Sequence, residues 1–203
     1  VISTIKDLLF SGDEIVKIEG VLSGTLSYLF NSYDGAKPFS EVVKEAQNKG
    51  FTEPDPREDL NGMDVLRKLL ILVREAGYKL EPDDIAKENF IPEVIINTPS
   101  VDEFYKKLKL YDSIITQQRI NAANENKVLR YIAEYSNGKA QIRLRAVDKT
   151  SPFYGLTYND NMIVLTTKYY SERPLIIQGP GAGAEVTAGG VFADIMKIAN
   201  NLG

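Results

Sequence analysis

From Lys127 onward the chain changes texture, and that change narrows the choice of folds more than any other feature. Residues 128–135 and 139–147 flank Ser136-Asn137-Gly138, the composition of a hairpin turn, and the second of the two runs alternates strictly. Residues 161–170 and 174–178 read as two further strands. Ahead of Lys127 only residues 14–21 alternate in the same way, and a candidate strand covers 91–96. The rest has helical spacing: a short helix near the start with Ser3 or Thr4 as cap, 23–33 stopped by Asp34-Gly35, 41–49 capped by Ser40, and 63–76 closed by Gly77. A short turn or helix begins at Pro82, two helices cover 101–110 and 112–125, and 186–202 forms a closing helix. Strands and helices come in clusters rather than in strict alternation. The expected class is therefore α+β, with helices packed on a mixed or antiparallel sheet.

The absences restrict the chemistry. The 203 residues contain no Cys and no His, so thiolate nucleophiles, imidazole bases, the usual serine triad and ordinary zinc sites are excluded. Acid–base work must fall to Asp, Glu, Lys or Tyr. Net charge is −4 with no block of like sign, which argues against a nucleic-acid partner, and no apolar run approaches the ~18 residues of a membrane helix. With no signal peptide visible, the expected location is the cytoplasm or an organelle stroma. Val1 opens directly into a helical pattern, so a fragment of a longer protein is expected.

One loop concentrates the remaining candidates. Residues 51–62 carry Pro54 and Pro56, which drive their predecessors to extended geometry, so a stiff loop is expected. Glu53, Asp55, Glu58, Asp59 and Asp64 bring five carboxylates into twelve residues, and Lys68 follows Asp64 by one helical turn. A calcium loop is ruled out, because counting from Asp55 puts Leu60 and Leu66 where glycine and a bidentate acid are needed. Two readings remain. Acids favour a helix N-terminus, and Asp64–Lys68 is then a surface pair worth ~0.3 kcal/mol. Alternatively the helix, apolar at Val65, Leu66, Leu69, Leu70, Ile71, Leu72 and Val73, is buried nearly all round, which desolvates Asp64 and Lys68 and tunes the lysine for proton transfer.

A second candidate is the glycine-rich turn at 179–185. Gly179, Gly181 and Ala184 satisfy the G-x-G-x-x-G/A spacing, but the second strand and the acid some twenty residues on that a dinucleotide fold requires have no room before Gly203. A tight turn packing a helix against a sheet explains it equally well. Tyr131, Tyr135, Tyr169 and Tyr170 sit at strand spacing and read as sheet residues.

Four segments taken together resemble homoserine dehydrogenase: G-V-L-S-G-T-L-S-Y-L-F-N at 20–31, G-F-T-E-P-D-P-R-E-D-L at 50–60, G-M-D-V-L-R-K at 62–68 and G-P-G-A-G-A-E-V-T-A-G-G at 179–190. The resemblance covers essentially the whole chain in order and spacing, and its details look most like the dehydrogenase half of a bifunctional aspartokinase/homoserine dehydrogenase. It implies an NAD(P)H-dependent reduction of L-aspartate 4-semialdehyde to L-homoserine, with a homodimer as the working form and the cytoplasm or plastid stroma as location. It implies Lys68 as proton donor, Glu53, Asp59 and Asp64 as substrate-binding carboxylates, and Gly50 and Gly183 as contacts to NADP or NAD. It also implies that the main nucleotide-binding domain, a first catalytic lysine and a monovalent-cation site lie ahead of Val1. Residues 1–178 would then be the substrate-binding, catalytic and dimerisation domain, and 179–203 a turn and helix completing the nucleotide domain. Such a fragment alone is expected to be inactive. Glu58 stands where the family has aspartate, and Leu66 where alanine is common; neither touches a proposed catalytic group. The competing expectation is a non-catalytic oligomerisation or amino-acid-effector module, in which Lys68 is only a satisfied ion pair.

Overall fold

A computed structural model describes residues 1–201. The chain runs α1 (Ile2–Phe10), β1 (Ile15–Val21), α2 (Gly24–Ser32), α3 (Phe39–Asn48), α4 (Arg57–Leu60), α5 (Met63–Glu75), a 3₁₀ turn at Pro82–Asp84, β2 (Ile85–Lys87), α6 (Glu93–Ile96), α7 (Val101–Asn124), β3 (Val128–Ser136), β4 (Lys139–Val147), β5 (Asp160–Thr167), β6 (Leu175–Pro180) and α8 (Ala184–Asn201). One six-stranded sheet has the order β2-β4-β3-β1-β5-β6. Every pairing is antiparallel except β2 with β4, which makes the sheet mixed and the fold α+β as expected.

β1 sits in the interior of the sheet because its alternation gives each face a purpose. Ile18 points with Tyr131, Tyr135, Ile142 and Leu165 into the main core, which α2, α3, α5 and α7 cover with Leu29, Phe39, Leu69, Phe104, Leu108 and Ile115. On the opposite face Val21, Ile132, Met162 and Val164 join Phe153 and Leu156 in a smaller cluster. The hairpin pairs in full register from Val128↔Val147 to Ser136↔Lys139.

Several expectations fail at boundaries. The two helices at 101–125 are one, since no Gly or Pro interrupts them and Phe104, Leu108, Ile115 and Ala122 form a continuous buried seam. Residues 91–96 are not a strand: α6 starts from Pro92, and Ile91 and Ile95 are both buried there. Ser40 does not cap α3, whose first residue is preceded by Pro38; its amide and hydroxyl instead donate to the Asp112 carboxylate at 2.7 and 2.5 Å. Ser3 and Thr4 lie inside α1, behind Val1. The loop at 51–62 contains one turn of helix, α4, because Pro56 fits at a helix start. Tyr169 and Tyr170 fall beyond β5 and are exposed, whereas Tyr131 and Tyr135 are buried sheet residues as expected. The expected end of the closing helix at Leu202 lies outside the described residues.

α8 differs from every other long helix. All of its described side chains are exposed, including Val191, Phe192, Ile195 and Ile198 at 56–63%. No helix among the described residues is long and apolar enough to cross a membrane.

Candidate active site

The site is built where three segments meet: the start of α2, the loop between α3 and α5, and the first two turns of α5. Ser23 caps α2 by accepting from the Leu26 amide at 3.2 Å, which fixes Thr25 in the first turn. Thr25 Oγ1 lies 2.8 Å from the Phe51 carbonyl and 2.8 Å from Asp59 Oδ1. The other oxygen of Asp59 accepts from the Glu53 amide at 2.9 Å. Sequence reasoning missed Thr25, whose partners are 26 and 34 residues away.

The loop is braced from its far side. Arg57 grips Asp55 through Nε at 2.8 Å and Nη2 at 2.5 Å, and Nη1 donates to the Thr98 carbonyl. Gly62 follows with φ +72°, a backbone state that favours glycine. A side chain at Gly62 would also run into the hydroxyl of Tyr131. α5 then starts with the Met63 amide donating to Asn61 Oδ1 at 2.8 Å.

On α5, Lys68 Nζ stands 2.8 Å from Asp64 Oδ2 and donates to the Leu22 carbonyl at 3.0 Å. The same carbonyl accepts from Asn161 Nδ2 at 3.4 Å, so β5 and the end of β1 support the lysine's position. The expected burial of this pair is not found. Lys68 and Asp64 keep 43% and 52% of their side-chain surface, and Ile71 is 47% exposed. Asp64, Arg67, Ile71 and Arg74 share one stripe of α5 that turns away from the sheet, so the helix is amphipathic in spite of its leucines.

Asp59 differs from Asp55 in the same loop, whose carboxyl Arg57 holds below the ordinary value, because its own pKa is raised. Burial raises its pKa, the Glu53 amide and the Thr25 hydroxyl oppose the rise, and the charges of Glu53 and Asp64 add to it. The geometry fits: Thr25 has a single proton for two oxygens at equal distance, and a protonated Asp59 would supply the second hydrogen bond. The Glu53 carboxylate is exposed and has no partner among the described residues.

Hydrogen bonds thus link Glu53 to Asp59 through its amide, and an ion pair links Asp64 to Lys68. Gly50 joins the group through its neighbour Phe51. It ends α3 at φ +74°, with no atom within 4 Å of where a side chain would begin. Gly183, at φ +139° before α8, is equally open but shares no hydrogen bond with the Lys68 group. Among the described residues no group of acids is arranged to hold a metal ion.

The arrangement offers one ammonium with hydrogen-bonding capacity to spare and three nearby carboxyl groups. That combination suits a small ligand carrying both a cationic group and an oxygen that gains negative charge.

Comparison with known proteins gives the same direction. The sequence profile described as homoserine dehydrogenase matches residues 1–196. The chloroplastic bifunctional aspartokinase/homoserine dehydrogenase 2 of Arabidopsis thaliana is 50% identical over 205 residues, covering 100% of this chain and 22% of that protein. The homoserine dehydrogenase of Saccharomyces cerevisiae is 44% identical over 209 residues, covering 100% of this chain and 58% of that protein. The chain therefore spans less than two thirds of the length of these relatives. Among solved structures, a Candida auris protein of unknown function superposes with a TM-score of 0.92 at 44% identity, over 98% of this chain and 57% of that one. A homoserine dehydrogenase from Thiobacillus denitrificans shares the fold, with a TM-score of 0.76 at 20% identity over 96% of this chain and 41% of that one. A profile match over nearly the whole chain makes this chain a member of the homoserine dehydrogenase family.

Proposed function

We propose that residues 1–178 form the substrate-binding, catalytic and dimer-forming part of an NAD(P)H-dependent homoserine dehydrogenase, and that 179–203 complete its nucleotide-binding domain. The reaction is the reduction of L-aspartate 4-semialdehyde to L-homoserine, in the cytoplasm or a plastid stroma. The nicotinamide nucleotide would supply the hydride. Gly50 and Gly183 fit a role beside it, since open space at a backbone with positive φ lets a ligand approach the main chain closely. The apolar side chains that α8 leaves exposed support assigning that helix to a further unit, because such a face is normally covered, while β6 keeps Gly179 and Pro180 paired with β5 in the main sheet.

One observation carries the reading: Lys68 makes one hydrogen bond, to the Leu22 carbonyl, beside its ion pair with Asp64, and even with one N–H turned to each it keeps a third. That third N–H is available to the aldehyde oxygen of the substrate. As the carbonyl carbon gains hydride its oxygen becomes an alkoxide, and Lys68 stabilises that charge and delivers the proton. The resulting neutral amine is reprotonated from water, which the side chain's partial exposure admits. Glu53 and Asp64 hold the α-ammonium group of the substrate, and Asp59 supports them by fixing the Glu53 backbone.

The test is steady-state reduction of aspartate semialdehyde by the full-length protein and its Asp64→Asn variant. The expected result is NAD(P)H oxidation by the wild type and a KM at least about tenfold higher in the variant. Absence of turnover in the full-length wild type would overturn the reading, and an unchanged KM would remove Asp64 from substrate binding.

A further inference from the structure

Arg130 on β3 is 4% exposed, and all five of its N–H groups are spent on backbone carbonyls. Nε donates to Phe153 at 3.0 Å, Nη1 to Leu129 at 2.8 Å and Phe30 at 3.4 Å, and Nη2 to Tyr154 and Leu156 at 3.2 Å each. Among the described residues no carboxylate comes within 4 Å of it. Carbonyl dipoles satisfy its hydrogen bonding but leave its net charge uncompensated, and burial brings its pKa down to about 10.

A second guanidinium shares its cavity. Arg119 on α7 also lacks a carboxylate within 4 Å among the described residues, and its Nε is fully buried without an acceptor. It is held in place by packing, with Cζ 6.0 Å from the centre of the Tyr33 ring. It also lies so close over Gly35 that any side chain there would collide with it. Together with Lys127, the two arginines line a cavity of about 320 Å³ between the ends of α2 and α7 and the start of β3. Among the described residues Asp34 is the single acidic side chain on its wall, and Asp34 Oδ1 is already engaged by the Ala36 amide at 2.8 Å. Lys127 has its own partner in Glu125 at 2.5 Å.

We infer that this cavity binds a small oxyanion, a phosphate or carboxylate group, with Arg119 as the donor and Arg130 as the uncompensated charge behind it. The volume is at the small end of ligand cavities, which limits the occupant to a compact anion. None of the lining residues belongs to the Lys68 group, so the site stands whether or not the proposed reaction is correct.

The experiment measures melting temperature and calorimetric affinity of the full-length protein with inorganic phosphate and, separately, malonate, at ionic strength fixed with sodium chloride. Arg119→Gln is the test variant, because it removes the donor and leaves the carbonyl cage around Arg130 intact. Lys68→Met controls for anions bound at the other site. The expected result is a rise of at least about 2 °C in the wild type and in Lys68→Met, and at least about tenfold weaker binding in Arg119→Gln. A response to phosphate alone would assign a phosphoryl-bearing ligand, and a response to malonate alone a carboxylate. No response, or equal responses in wild type and Arg119→Gln, would overturn the inference.

Discussion

Lys68 and Arg130 both donate to backbone carbonyls, yet they live under opposite conditions. Lys68 is half exposed, has a carboxylate 2.8 Å away and retains one unused donor. Arg130 is buried, has no carboxylate within 4 Å among the described residues and has no donor left. The difference separates two uses of a cation. A group that gives up a proton in every cycle must be reloaded, so access to water is part of its function. A group that ties a loop to a sheet works best when nothing can compete for its hydrogen bonds.

The largest effect expected from this contrast is at Arg130. Its replacement by Met would strand carbonyls of Phe153, Tyr154 and Leu156 beside the smaller apolar cluster, at a cost of about 3 kcal/mol or more. Urea unfolding measures it, and a loss below about 1 kcal/mol would mean that water replaces the arginine freely. A smaller, pH-dependent effect belongs to Asp59. Because burial raises its pKa, wild-type stability falls as pH climbs from the ordinary carboxylate value, about 4, through the higher folded value. Asp59→Asn keeps the contacts to Thr25 and the Glu53 amide while removing that charge. Its stability relative to wild type should therefore rise with pH and be flat below about pH 4. Melting curves between pH 3 and 8 check the sign, and a gap that shrinks with rising pH would show that the carboxylate is favoured instead. The smallest effect is on folding in Lys68→Met, where a half-exposed ion pair is lost and stability should move by no more than about 0.5 kcal/mol.

The same contrast explains what was legible in the sequence. The hairpin of β3 and β4 could be read because a period of two and an Asn-Gly turn are local signals. α5 could be read in extent but not in exposure: Ile71 suggested an all-apolar helix, and only the tertiary structure shows that its stripe meets no neighbour. The carboxylates and Lys68 stood out by density, yet Thr25, which ties Asp59 to Phe51, did not. Arg130 was invisible for the same reason. Three of its five partners come from a loop 23 to 26 residues later, and side chain to main chain contacts over such distances leave no periodic trace. β2 and α6, at three and four residues, are too short for periodicity to register.

The most direct measurement is kcat for aspartate semialdehyde reduction by full-length Lys68→Met beside the wild type, with urea unfolding run on the same samples. A fall of about 100-fold or more with superimposable unfolding curves is the expected result. A kcat within about threefold of wild type would contradict proton delivery by Lys68.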